Sequence, residues 1–178
     1  MIEKKYKPWQ VCFAASLFFF YEFIQGNMFA SLNSEVKEAF NLNIVGLSWL
    51  SSIYYVANVI FLFPAGIILD RFSTKTVILN SLSICVLGTF GFAIADSLEF
   101  ALLCRFVTGI GSAFCFLSCF RIASRWFPPQ KLALVTGLVV TLAMSGGMVA
   151  QAPMTELLVA VGWRKAVMWD GLLGLVIL

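Results

Sequence analysis

A chain of 178 residues that is 61% hydrophobic and 12% charged, with a mean hydropathy of +0.94, holds more apolar side chain than one water-soluble core of that size can bury. Its place is in a lipid bilayer. The net charge of +3 reports no nucleic-acid partner, because the basic residues sort by membrane side rather than into a patch.

A spanning helix needs about 20 mostly apolar residues, and the sequence predicts spans at 9–31, 44–69, 76–95, 98–121, 132–154 and 163–178. The first run has a basic start, but it is longer than a signal-peptide core and contains Glu22, Gln25 and Asn27, so it reads as a retained helix. Glu22 lies near its middle, where an ionised carboxylate facing lipid costs several kcal/mol; it must face protein or water. Two roles fit, a proton or substrate site or a structural ion pair or hydrogen bond. Gln25 and Gly26 follow one turn later and Phe18 precedes by one turn, making this face polar enough to line a cavity.

The second run carries Ser51, Tyr55 and Asn58 at helical spacing, with Tyr54 beside them. It then ends in P-A-G-I-I-L-D-R-F-S-T-K, where Gly66 and Asp70 share one helix face and Arg71 and Lys75 hold the turn. The fourth run reads L-L-C-R-F-V-T-G-I-G-S-A. Arg105 sits roughly 12 Å from the outer end at 1.5 Å per residue, too deep for easy snorkelling; it needs a carboxylate, backbone carbonyls or an anionic ligand. Gly109, Gly111, Ser112 and Ala113 suit close helix packing. The fifth run offers Thr141 and Ser145, the pair Gly146 and Gly147, and Gln151 lower down. Each polar residue fits an interhelical hydrogen bond or a pathway contact. The sixth run stops without cap or basic flank, and a continuation into a longer parent protein is expected.

Lys4, Lys5, Lys7, Arg71, Lys75, Arg121, Arg125 and Lys131 fall on one side, and Lys37, Arg164 and Lys165 on the other. Since lysine and arginine gather in short cytoplasmic loops, the N-terminus is expected inside. Cys12, Cys85, Cys104, Cys115 and Cys119 all lie in apolar runs, and histidine is absent. No disulfide frame, metal set or cofactor is expected; Cys115 and Cys119, four apart, read as small packing residues before a ligand pair.

The junction after the second run resembles the loop between helices two and three of the major facilitator superfamily, G-x-x-x-D-R-x-G-R/K-R/K. Gly66, Asp70, Arg71 and Lys75 match, and Ser73 stands where glycine is usual. The fourth run resembles the superfamily's R-x-x-x-G-x-G through Arg105, Gly109 and Gly111. The resemblance implies an all-α membrane protein, with residues 1–178 as the N-terminal six-helix domain, built from two inverted three-helix units, and a C-terminal domain absent. It implies alternating access, with Gly66 and Asp70 docking on the missing half as a conformational switch aided by Arg71 and Lys75. The candidate proton-coupling or substrate residues are Glu22, Arg105, Gln25, Tyr55, Asn58 and Gln151, and the resemblance implies a proton-coupling or a structural role for Arg105. Gly109, Gly111, Gly146 and Gly147 fall to helix packing.

Drug antiporters of the superfamily carry G-x-x-x-G-P-x-x-G-G in helix five, whereas here Leu142-Ala143 stands where Gly-Pro would fall. The run R-W-F-P-P from Arg125, then Gly137, Gly146-Gly147, Pro153 and G-W-R at Gly162, is more like members that take up organic anions, sugar acids or peptides. Those often have Glu-Arg near Gln130-Lys131. The reading is a secondary transporter domain in the plasma membrane, the inner membrane if bacterial, moving a small organic solute, anions included, with protons. Its partners are the bilayer, the solute, protons, and a missing C-terminal half or a second copy. Drug efflux is the nearest alternative, and a non-transporting assembly partner or degenerate half-gene product is another. An enzyme is not expected without histidine, a metal set or paired carboxylates, nor a channel without a filter-like loop.

Overall fold

The computed structural model describes residues 7–178, so Lys4 and Lys5 lie outside the described residues. These residues form nine helices joined by short turns: α1 Pro8–Asn27, α2 Phe29–Ala39, α3 Ile44–Arg71, α4 Thr74–Ala93, α5 Leu98–Ser112, α6 Cys115–Trp126, α7 Pro129–Val149, α8 Ala152–Val161 and α9 Trp163–Ile177. α1 runs into α2, α5 into α6 and α7 into α8 across one- or two-residue breaks, giving six helical columns. Four stretches, Ile44–Arg71, Thr74–Ala93, Leu98–Trp126 and Pro129–Val161, are long and apolar enough to cross a membrane.

Local chemistry sets the boundaries. Asn43, Ser73 and Ser97 accept through their side chains from the backbone N–H of Gly46, Thr76 and Phe100 at 2.7, 3.2 and 3.3 Å, each satisfying a first-turn donor. Proline opens α1, α7 and α8, where its lack of an N–H costs nothing. Gly162, at φ +81°, separates α8 from α9 in a backbone conformation that other residues rarely adopt.

The columns outrun the spans read from the sequence. The first extends to residue 39 rather than 31, so the expected loop at 32–43 shrinks to 40–43. Its extension is amphipathic: Phe29, Leu32 and Val36 are buried while Asn33, Ser34, Lys37 and Glu38 face outward. A reading by apolar run length stops at those polar residues. The fourth and fifth columns likewise reach Trp126 and Val161, against 121 and 154, and the third ends at Ala93, two residues short of the expected 95.

Packing crosses the two halves of the chain reciprocally. α1 lies chiefly against α7, α3 against α5, and α4 against α5 and α9. The first column thus meets the fifth and the second meets the fourth, the exchange that two inverted three-helix units generate. Small residues allow these crossings. A Cβ on Gly109 would strike the Tyr54 backbone and come within 2.8 Å of the Ala57 Cβ; on Gly111 it would come within 2.5 Å of the Ser81 carbonyl. On Gly146 it would collide with the Phe20 carbonyl, whereas Gly147 leaves 3.4 Å to Asn27 Nδ2.

Two large apolar clusters fill the interior, one around Phe29, Leu32, Phe92 and Trp163, the other around Phe18, Leu82, Cys115 and Val139. The outer faces remain apolar: Val59, Phe63 and Val176 are 71, 77 and 85% exposed, as side chains bound for lipid or a second domain should be.

Candidate functional site

Arg105, on α5, is 1% exposed, the largest fully buried side chain of the described residues. It forms no ion pair among them. Its guanidinium carbon lies 4.6 Å from the ring centres of both Phe29 and Tyr54, and Nη2 donates to the Gln25 carbonyl at 3.2 Å. Aromatic faces and one carbonyl replace part of the hydration a buried cation gives up. Nε and Nη1 have no partner in this site.

Two carboxylates flank the cation, each one residue removed. Gln25 Nε2 donates to Asp170 Oδ2 on α9, and Tyr54 Oη donates to Glu22 Oε1 at 2.9 Å. Asp170 is 4% exposed, and Glu22 is half-buried on the neighbouring face of α1. Gln25 Oε1 is buried without a partner. The cluster thus draws on α1, α2, α3, α5 and α9, and a pair of unused N–H donors sits at its centre. The Nε–H and Nη1–H groups point to different sides of the guanidinium, so each can donate to a separate oxygen of an anion.

Of the residues singled out in the sequence, Glu22, Gln25 and Arg105 come together here. Tyr55, about half exposed, donates to the Gly26 carbonyl at 2.5 Å, and Asn58 Nδ2 donates to Ser112 Oγ at 2.7 Å further along the α3–α5 seam. Gln151 does not join them. It is exposed at the α7–α8 break, where its carbonyl accepts from Ser31 Oγ and Thr155 Oγ1. Thr141 and Ser145 donate to carbonyls of their own helix. Asp170 escaped the sequence reading, although a lone carboxylate in an apolar run is the signal that identified Glu22.

At the α3–α4 turn, Asp70 is exposed and pairs with Arg121 Nη1 at 3.4 Å, joining the second column to the fourth. Arg71 and Lys75 are exposed, and a Cβ on Gly66 would meet nothing within 4 Å. The five cysteines are free and buried, and no group of three or more metal-binding side chains forms among the described residues.

Six helical columns locked at glycine crossings around a buried charge cluster define a polytopic α-helical membrane protein. The Major Facilitator Superfamily model matches residues 11–178, and the chain belongs to that superfamily. It is 31% identical over 153 residues to the probable galactarate/D-glucarate transporter GudP of Escherichia coli, covering 81% of this chain and 33% of that protein. It is 21% identical to the hexuronate transporter of Bacillus subtilis, covering 79% of this chain and 33% of that one. The crystal structure of a bacterial homolog of the human lysosomal transporter Spinster, inward-facing and unoccupied, superposes with a TM-score of 0.82 at 20% identity, over 97% of this chain and 43% of that one. The chain spans about a quarter to a third of the length of the curated relatives it matches.

Proposed function

We propose that the chain is the N-terminal transmembrane domain of a secondary transporter that moves a small organic acid together with protons by alternating access. The observation that carries this reading is the buried Arg105 guanidinium, with Nε and Nη1 unpaired, at the meeting point of four columns. A fixed cation with unused donors favours an anionic solute over a neutral or cationic one. The names of GudP and the hexuronate transporter, both for sugar acids, point the same way. Glu22 and Asp170 are the carboxyls available for coupling. The cytoplasmic N-terminus, the plasma-membrane location and a second six-helix half or second copy belong to the same proposal.

The test is uptake into proteoliposomes holding the product of the complete reading frame that encodes these residues. Labelled galactarate, glucuronate, a neutral hexose and a cationic dye are compared, with and without an inward proton gradient. Saturable, gradient-stimulated uptake of an acid is expected, reduced about tenfold or more by Glu22→Gln, the scale of ~1.4 kcal/mol in the transition state. Gradient-driven export of the dye with no acid uptake would replace this reading with drug efflux.

The switch role of the α3–α4 turn is separable from stability. Asp70→Asn is expected to change unfolding free energy by less than about 1 kcal/mol, because an exposed pair contributes little, yet to slow uptake several-fold in the same vesicles. Unaltered uptake would remove Asp70 from the switch.

A further inference from the structure

Asp170 faces two ways. Inward, it accepts from Gln25 Nε2, and the same residue's carbonyl accepts from Arg105 Nη2. Outward, it lines a crevice of about 130 Å³ between α1, α7, α8 and α9, whose other walls include Ile24, Met154, Leu157, Ala166 and Trp169. Asp170 is the one ionisable group among the residues that line this crevice.

The groups around it are few. α1 presents Tyr21, whose hydroxyl donates to Thr89 Oγ1 of α4 at 3.2 Å, and Gln25. α5 presents Arg105, the only nearby cation among the described residues. α4 meets α9 through Val86 and Phe90 at Gly174 and Gly171, and α7 and α8 offer Val149, Pro153, Met154 and Leu157. The charged residues of α2, Glu35, Lys37 and Glu38, lie more than a turn beyond Phe29. Glu22 is turned toward Tyr54.

Hydrogen-bond inventory makes Gln25 a two-position reporter. An ionised carboxylate only accepts, and so it calls for the amide N–H₂. A protonated carboxyl also donates, and the acceptor it needs, Gln25 Oε1, is already buried beside it without a partner. Turning the amide over exchanges the two arrangements at little steric cost, because the two ends of the group are nearly the same size.

We propose that Asp170 is a proton-binding site read by Gln25, which passes its charge state to Arg105 through the same stretch of α1. Protonation removes the negative charge that faces Arg105 across Gln25 and frees the guanidinium for an anion; by linkage, anion binding draws a proton onto Asp170. This deepens the transport reading and rests on it for the anion, while the proton site itself is testable without transport.

The experiment is infrared pH titration of the purified protein in lipid nanodiscs, as wild type, Asp170→Asn, Glu22→Gln and Gln25→Leu. A protonated-carboxyl C=O component is expected to grow in as pH falls, to vanish in Asp170→Asn, to remain in Glu22→Gln, and to persist to more alkaline pH in Gln25→Leu. Persistence of every component in Asp170→Asn would overturn the site, and an unmoved component in Gln25→Leu would overturn the reporter. If Asp170→Asn fails to fold, wild-type protein treated with the apolar reagent dicyclohexylcarbodiimide and peptide-mapped decides instead: acid-favoured addition at Asp170 supports the site, and addition at Glu22 alone overturns it. Acid uptake that keeps its full pH dependence in Asp170→Asn would refute the coupling. Absence of any acid uptake would sink the transport reading, and the carboxyl bands would still stand or fall by themselves.

Discussion

Arg105→Met is expected to leave the bundle folded while cutting organic-acid uptake by about 10- to 100-fold, the effect of losing charge-assisted hydrogen bonds to the solute. Methionine nearly matches the arginine stem, and its sulfur packs well against the rings of Phe29 and Tyr54 that now sandwich the guanidinium. Arg105→Lys should recover little uptake, because a single ammonium cannot keep the Gln25 carbonyl and also reach the positions of Nε and Nη1. The stability effect is a matter of partners. Removing the cation leaves Asp170 its hydrogen bond from Gln25 but takes away the positive charge beyond it, so Arg105→Met alone destabilises, whereas Arg105→Met with Asp170→Asn should cost less than the sum of the two. A coupling energy of about 0.5–3 kcal/mol is the range for residues in one network, read by a double-mutant cycle on unfolding in detergent. Strict additivity would mean that Gln25 does not connect the two charges.

Gly146→Val is expected to abolish assembly of the bundle, seen as loss of monodisperse protein after extraction. A Cβ there collides with the Phe20 carbonyl of α1, and a backbone atom inside a helix has nowhere to move. Overpacking typically costs 1–3 kcal/mol when side chains can yield; against backbone, about 3 kcal/mol or more is the fitting scale. The adjacent Gly147→Ala serves as the contrast. Its added carbon would stand 3.4 Å from Asn27 Nδ2, an ordinary van der Waals contact, and alanine gains about 1 kcal/mol of helix propensity, so folded yield should be unchanged or higher. Equal yields from both variants would show that the α1–α7 crossing is not set by Gly146.

Much of the site was legible before any fold was known. Glu22 and Arg105 stand out because a charge in an apolar run must be answered by something, and run length alone locates them. Gly109 and Gly111 were readable as close-packing positions for a similar reason: glycine is a poor choice in a helix unless a neighbour requires the space. What could not be read was which groups answer which charge. Asp170 lies 145 residues from Gln25, and nothing in either segment announces the pairing. Gln151, polar and in a cavity-type position by sequence, turned out exposed at a helix break.

By itself, then, the sequence determined that this is a membrane-embedded helical protein, roughly where its helices run, and that two charges within them need partners. Those properties follow from the transfer cost of each residue into hydrocarbon, which is local and additive along the chain. Only the tertiary structure decided that Arg105 is held by rings and a carbonyl rather than by a carboxylate, that Gln25 joins it to Asp170, and that α1 crosses α7 at Gly146. Such pairings depend on which helix faces meet, and that is set by steric fit between segments far apart in the chain.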